Sequence, residues 1–418
     1  MSISTFAAPP LKINTPVAKK VDTVRRQTCS ACGRSQLEEV LDLPNLPLTG
    51  VFVDPAQRRN YPSFDQALMR CAACGHAQLR ESVDPSYLYQ DTYTHRSSLS
   101  PISTRGNDFF LTFLNEVAGD RKFKSIVEIG CNDLYLLNKI SHRGEALTGF
   151  DPIWKDRSAE GTSGVRVSGK YIEEIDPSTD IPVRPDLVLS VHTLEHVSHP
   201  LDSLRPIFEH AQPGALFVVE VPSLDTLITI NRFDQVFHQH LNYFSLASFQ
   251  SMVCGLGGEY VAHRFNYGYW LGTMMVAFRK PDGRTSRVTT DLPPAPSVDE
   301  IRDGHSRFRE QLSGVRRTLE RLTRRGTPVI GFGAAQMVPT LAYHFQSDFG
   351  FLESILDDNP AKAGLSYPSI ATTIRPASEK GDLQAYAVLV TACDSSRVLL
   401  PRLVGLRARY LIQPCNPF

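Results

Sequence analysis

The stretch from Ser125 to Asp151 limits what this chain can fold into more than any other. Ser125-Ile-Val-Glu-Ile-Gly130-Cys-Asn-Asp133 reads as a β-strand running into a glycine turn, and Leu134–Ile140 reads as the helix that follows. A second strand, Ala146-Leu-Thr-Gly-Phe150, ends at Asp151. Together these make a βαβ unit, and open sheets of such units hold ligands at the carboxyl ends of their strands. Gly130 lets a ligand approach the backbone there. An acidic residue about 20 positions further on is placed to bind ribose hydroxyls.

The turn has one glycine where a dinucleotide site has G-x-G-x-x-G, and the carboxylates Glu128 and Asp133 flank it. They would repel a pyrophosphate but suit a cofactor that carries an ammonium and a sulfonium. The expectation is S-adenosylmethionine, contacted by Glu128, Gly130, Asn132, Asp133, Asp151 and His192. An ordinary buried strand and turn is the competing reading.

Length and charge narrow the rest. A chain of 418 residues predicts two to four units. With 44 basic and 44 acidic residues there is no basic excess to track phosphates, so nucleic acid is not an expected partner. The basic run from Arg316-Arg317 to Arg324-Arg325 reads as the solvated face of a helix, because acidic and apolar residues interleave with it. No run approaches ~18–20 apolar residues, so no membrane span is expected. The first residues lack an apolar h-region and read as a flexible arm over 1–24.

From about 25 to 98 the chain is rich in Cys, Pro and Tyr. The segment 99–282 alternates strand-like runs (DLVLSVHTL, ALFVVEV) with helix-like ones (FFLTFLNEVA, LDSLRPIFEHA). A polar, Pro-bearing linker over 283–300 precedes a long charged helix from Ile301 to Arg324. The strand–helix rhythm then restarts within 301–418. The expected fold is α/β: a Rossmann-like core, a cysteine domain before it and a smaller Rossmann-like unit after it.

Cys29-Ser-Ala-Cys32-Gly and Cys71-Ala-Ala-Cys74-Gly form two knuckles. Two residues between cysteines let one tight turn aim both thiolates at one ion, and four soft ligands suit tetrahedral zinc. Four protein ligands leave no open position, so the zinc is expected to be structural. The remaining cysteines are four scattered singles, which is not a secreted disulfide framework, so a reducing cytoplasm is expected.

Two histidine stretches could carry proton transfer. His192-Thr-Leu-Glu195-His196 follows the strand DLVLSV, on the cofactor side of the sheet. Phe237-His238-Gln239-His240 follows the strand ending Glu220-Val-Pro222-Ser223. Histidine's ordinary pKa near 6.5 suits removal of a proton from an acceptor. His192 with Glu195-His196 also suggests a metal site, but the sequence offers no obvious third ligand.

The order of these features resembles one family. The doubled C-x-x-C, E-I-G-C-N-D, L-E-H, E-V-P and H-x-x-Y-F-S are followed by a G-x-G-A turn and D-x-N-P-A-K-x-G. Nearly the whole chain from about Thr28 is similar to the three-domain nucleotide-sugar C-methyltransferases of deoxysugar biosynthesis. The resemblance implies a zinc domain, a class I S-adenosylmethionine-dependent core and a C-terminal domain, with the nucleotide sugar between the last two. It implies deprotonation beside a 4-keto group and methylation of the enolate.

Carried over by motif, the catalytic candidates are His240 as base, His196, His238 and Tyr93. The substrate-binding candidates are Tyr93, His95, Glu220, Gln239, Asn242, Gly331 and Gly333, with the Asp358-Asn359-Pro360 turn nearby. Where the family has Tyr-x-Glu-His, this chain has Phe237, Gln239 and His240. His95 stands where relatives often carry tyrosine, Leu134 where they prefer glycine, and Tyr269-Trp270-Leu271-Gly272 where they have a Gly-Gly-Ser-like turn. The expected activity is C-methylation; methylation of oxygen or nitrogen, or a silent binding protein, are the alternatives. The expected partner is a nucleotide sugar, and the chain is expected to act as a monomer or weak homodimer.

Overall fold

The computed structural model describes residues 21–88, 96–155, 164–270, 272–283 and 293–415. Tyr93, His95 and Leu271 lie outside them. The cysteine-bearing part has five strands: β1 (Thr23–Arg25), β2 (Leu37–Pro47), β3 (Ser63–Cys71), β4 (Ala77–Leu79) and β5 (Glu81–Val83). β1 pairs with β5, and β2, β3 and β4 form an antiparallel sheet.

The central sheet has seven strands: β6 (Phe123–Ile129), β7 (Gly144–Phe150), β8 (Val165–Ser168), β9 (Leu187–Val191), β10 (Leu216–Pro222), β12 (Glu259–Asn266) and β13 (Thr273–Arg279). Their order is β12-β13-β10-β9-β6-β7-β8. β6 to β10 run parallel, while β13 is antiparallel to both of its neighbours. β6, β9 and β10 are apolar almost throughout because helices cover both faces. The chain order reverses between β6 and β9, which puts the ligand crevice at their carboxyl ends.

β11 (Asn242–Tyr243) leaves the central part and pairs with β4, extending the sheet of the cysteine-bearing part. The last sheet is all parallel, in the order β16 (Ile374–Pro376), β15 (Ile355–Asp357), β14 (Val329–Phe332), β17 (Ala387–Val390), β18 (Tyr410–Ile412). The long charged helix spans Val298–Arg324, three residues earlier than its apolar period suggests. The cause is local: Ser297 and Glu300 form a reciprocal capping box that satisfies the first free N–H groups.

One apolar core runs through all three parts. It contains Leu41, Leu43 and Leu46 of β2, Leu227 and Phe233 of the central part, Phe308 and Leu312 of the long helix, and Val338 and Leu341 after β14. Among the described residues no helix is long and apolar enough to cross a membrane.

Candidate active site and metal centre

The β6 turn is built around crowding. Gly130 has φ +77°, and a Cβ there would lie 1.9 Å from Thr193 Oγ1. The room that sequence reading assigned to a ligand is thus taken by Thr193, whose hydroxyl donates to the Ile129 carbonyl (3.2 Å). Leu134 is also left-handed, at φ +66°, which explains why glycine is the easier residue at that position.

Asp151 caps the turn from β7. Its carboxylate accepts from the backbone N–H of Asn132 (2.9 Å) and of Ile153 (3.0 Å). Asn132 Oδ1 accepts from Ser97 N–H (3.0 Å), and Asp133 accepts from the N–H and hydroxyl of Ser98 (3.0 and 2.6 Å). Sequence reading missed this role for Ser97 and Ser98; the serine pair was visible only as a link between domains.

Three carboxylates, Glu128, Asp133 and Asp151, gather here against one guanidinium, Arg96, whose charge lowers the Asp151 pKa while burial raises it. Burial, and then the charges of Asp151 and Asp133, hold the Glu128 carboxyl well above its usual range. Glu128 Oε2 and Asp133 Oδ1 are buried without a hydrogen-bond partner. Buried acceptors left over in a negative pocket fit the ammonium and sulfonium of S-adenosylmethionine.

The β9 end carries the histidine cluster. His192, at φ +53°, donates its N–H to the Glu220 carbonyl (2.9 Å), and its Nδ1 meets Glu195 Oε1 at 3.2 Å. Trp270 packs on the His192 ring at 4.4 Å and fills the space over Gly106. Glu195 is fully buried. Burial pushes its pKa up, but the His192 hydrogen bond and the nearby His196, His192 and His240 charges win and bring it to about 2.

His196 donates from Nδ1 to the Gln239 carbonyl (2.8 Å), and its Nε2 lies 3.8 Å from Glu195 Oε1. The His240 ring faces His196 at 4.9 Å and packs on Phe237 at 4.1 Å. Burial, then the charge of His196, push the His240 pKa well below the usual value, so the imidazole is neutral at pH 7. Glu195, His196 and His240 offer ligand atoms within 4.8 Å of one another. His240 is thus the third group that sequence reading could not place beside Glu195 and His196.

Four other candidates sit elsewhere or are already engaged. His238 is fully buried, bonds the Leu46 carbonyl through Nε2 (2.9 Å) and packs on Phe64, so it is a tie to the cysteine-bearing part. Asn242 is spent on Arg26, Ser30 and the carbonyls of Leu194 and Val197. Glu220 accepts from Asn266 (3.1 Å) and from the Thr273 hydroxyl beneath His192. Gln239 is paired with Thr49.

In the C-terminal part, Gly331 lies inside β14, with space for no more than Ile355, Thr391 and Leu352 around it. Gly333 ends that strand at φ +95°. Asp358, of the turn after β15, pairs with Arg402, and Asn359 caps the short turn that follows it.

The four cysteines converge. Sγ of Cys29 is 3.6 Å from that of Cys74, Sγ of Cys32 is 3.7 Å from that of Cys71, and all four lie within 4.8 Å of one another. Thiolates at about 2.3 Å from zinc in a tetrahedron stand about 3.8 Å apart, so the cluster fits that ion. Both knuckles close alike, Gly33 N–H to the Cys29 carbonyl (2.7 Å) and Gly75 N–H to the Cys71 carbonyl (2.9 Å), with both glycines left-handed.

Known proteins agree with this layout. A zinc-binding domain model matches residues 29–89, a methyltransferase domain model 104–263 and a C-methyltransferase C-terminal domain model 299–402. The C-methyltransferase NovU of Streptomyces niveus is 31% identical over 127 residues, 29% of this chain and 30% of NovU. The ubiquinone biosynthesis O-methyltransferase of Pseudomonas aeruginosa PAO1 is 29% identical over 112 residues, 26% of this chain and 48% of that protein. The chain thus spans less than half the length of these curated relatives. The crystal structure of N-methyltransferase NodS from Bradyrhizobium japonicum with S-adenosyl-l-homocysteine aligns with 47% of this chain and 96% of NodS, at 15% identity and TM-score 0.35. S-adenosylmethionine is the cofactor of the central fold and zinc the metal of the cysteine cluster. With all three domain models matched in order, the chain belongs to the three-domain C-methyltransferase family.

Proposed function

We propose that the protein methylates a carbon of a nucleotide-linked 4-keto-deoxysugar, with His240 removing the proton beside the ketone. The observation that supports this most is the neutral, desolvated His240 imidazole beside His196 and over the ionised Glu195, at the cofactor end of the sheet. A neutral imidazole can take a proton at pH 7, and a buried carboxylate close by stabilises the imidazolium that forms. The C–H electron pair passes into the enolate, and the proton passes to His240. S-adenosylmethionine, when bound, supplies an electrophilic methyl carbon on a sulfonium, and the enolate carbon takes that methyl in line. Phe237 has no hydroxyl to share the proton, so His196 is the partner left beside His240. The nucleotide is assigned to the cleft between the central and C-terminal parts, near Gly333, and Tyr93 and His95 are assigned to the sugar.

Methylation of a sugar oxygen is a second reading, favoured by Phe237 and Gln239 in place of the family's tyrosine and glutamate. Methyl-labelled S-adenosylmethionine with a panel of nucleotide sugars separates the two: label on carbon supports the first, label on oxygen the second. Absence of both turnover and cofactor binding rejects both. His240→Ala is expected to lower the rate by roughly 10²–10⁴-fold. A rate unchanged within a few-fold removes His240 from the reaction.

A further inference from the structure

The segment from Pro44 to Gly50, in the cysteine-bearing part, is tied from both sides. The Tyr343 hydroxyl donates to the Pro44 carbonyl (3.1 Å), and Gly50 N–H donates to the Gln336 carbonyl (3.2 Å), both partners being C-terminal. From the central part, His238 donates to Leu46 (2.9 Å), and Gln239 forms a two-point clamp with Thr49. The Thr49 hydroxyl donates to Gln239 Oε1 (2.8 Å), and Gln239 Nε2 donates to the Thr49 carbonyl (3.1 Å). The backbone carbonyl of the same Gln239 accepts from His196 Nδ1 (2.8 Å).

We infer that Thr49 is a positioning residue, which sets the tautomer and orientation of His196 from another part of the molecule by clamping Gln239. A carbonyl can only accept, so His196 must carry its proton on Nδ1 while this bond lasts. Nε2 is then the nitrogen turned toward Glu195 and His240. Holding both ends of the Gln239 amide on one residue fixes the side chain, and through it the Phe237–His240 turn, which closes by His240 N–H to the Phe237 carbonyl (3.0 Å).

The clamp also gives the glutamine a reason. A glutamate at 239 would accept the Thr49 hydroxyl proton, but its second oxygen would face the Thr49 carbonyl with no hydrogen to give. Gln239 and Thr49 are a matched pair, and β2 joins that pair to the first cysteine knuckle. The inference rests on the proposed reaction only for its rate readout.

The test uses the full-length zinc-loaded protein with ¹⁵N-labelled histidine, and the variants Thr49→Val, Thr49→Ser, Gln239→Glu and Thr49→Val/Gln239→Glu. Ring ¹⁵N spectra without substrate are expected to show one Nδ1–H tautomer for His196 in the parent and in Thr49→Ser. Mixed or exchanging signals are expected in Thr49→Val and Gln239→Glu. In methyl transfer, Thr49→Val is expected to lower kcat about tenfold with KM within about twofold, and Thr49→Ser to restore it. The double variant is expected to be no slower than Gln239→Glu alone, because the pair acts as one unit. Unchanged His196 signals in both Thr49→Val and Gln239→Glu would overturn the inference, as would fully multiplicative rate effects. If no nucleotide sugar is methylated, the spectra still decide it, and only the sugar reading fails.

Discussion

The molecule builds the same turn twice, in the central sheet and in the C-terminal one, and the two copies differ in charge. After β6 stands Gly130 and after β14 stands Gly333, both left-handed. The missing Cβ admits Thr193 at 1.9 Å in the first and Ala392 at 2.3 Å in the second, each from just beyond a neighbouring strand. In both, an acid at the end of the second strand accepts a backbone N–H of the turn: Asn132 to Asp151 (2.9 Å) and Ala334 to Asp357 (2.7 Å). Lys362 then neutralises Asp357 (3.3 Å) and donates to the Ala334 carbonyl (2.8 Å). In the central turn three carboxylates share the influence of Arg96. The backbone solution is common to both, so the glycine does not choose the ligand. Uncompensated charge does, and only the central turn has it.

Acid should separate the two regions most widely. His344 is buried with neither ring nitrogen partnered, and its neighbour His305 has an orphaned Nε2. Burial, aided by Arg309, lowers His305 to about 4, and burial with His305 and Arg309 lowers His344 well below its usual value. Both stay neutral in the fold, whereas unfolded histidine takes a proton below about 6.5. Stability is therefore present above pH 6.5 and lost as pH falls from there toward 4. At pH 5 the two together remove about 4 kcal/mol. Glu128 works the other way: its raised pKa means the folded turn takes a proton first, which acid favours. Hydrogen exchange at pH 7 and 5 should show Val298–Arg324 and Val338–Phe345 losing protection before the central sheet. Simultaneous loss would remove the contrast.

The next effect is on the cofactor. Asp151→Ala removes the cap on the Asn132 turn and one charge facing the sulfonium. Affinity for S-adenosylmethionine is expected to fall by about 30-fold or more, roughly 2 kcal/mol. Asp357→Ala, in the matching position of the neutralised turn, should leave it within about twofold. Calorimetric titration checks both, and equal losses would mean that the turns do not divide the work by charge.

Much of this was legible in the sequence, for physical reasons that also mark where legibility ended. β6, β9 and β10 are runs of apolar residues between turn signals, and the C-x-x-C spacing closes both knuckles locally, so pattern alone located them. The carboxylates around Gly130 were close in sequence and declared their charge. Contacts between residues far apart leave no such trace. Nothing in Thr49 announces Gln239, 190 residues away. Asn242 and His238, both expected near substrate, are instead consumed by seams between parts of the chain. Arg96, Ser97 and Ser98 stood in a segment noticed for its tyrosine, yet it is the serine amides that hold Asn132 and Asp133.

The smallest expected effect gives the sharpest form of the comparison, because its two arms should differ in sign. Glu128→Gln keeps the shape of the side chain and removes a charge that burial and two neighbouring carboxylates oppose. Without cofactor the variant is expected to be more stable than the parent at pH 7, by about 1 kcal/mol, since an unpaired buried charge is a cost. With S-adenosylmethionine it should gain less, because the negative charge that draws the cation has been reduced. Asp357→Asn removes the charge that Lys362 answers, and an amide assigned with its oxygen toward Ala334 leaves its NH₂ facing the ammonium. That variant is expected to be less stable by a similar amount, with cofactor stabilisation unchanged. Thermal unfolding of both, with and without cofactor, reads all four quantities. A destabilised Glu128→Gln would show that the central turn is neutralised within the protein after all, and the cofactor's charge would then have to find its partner elsewhere.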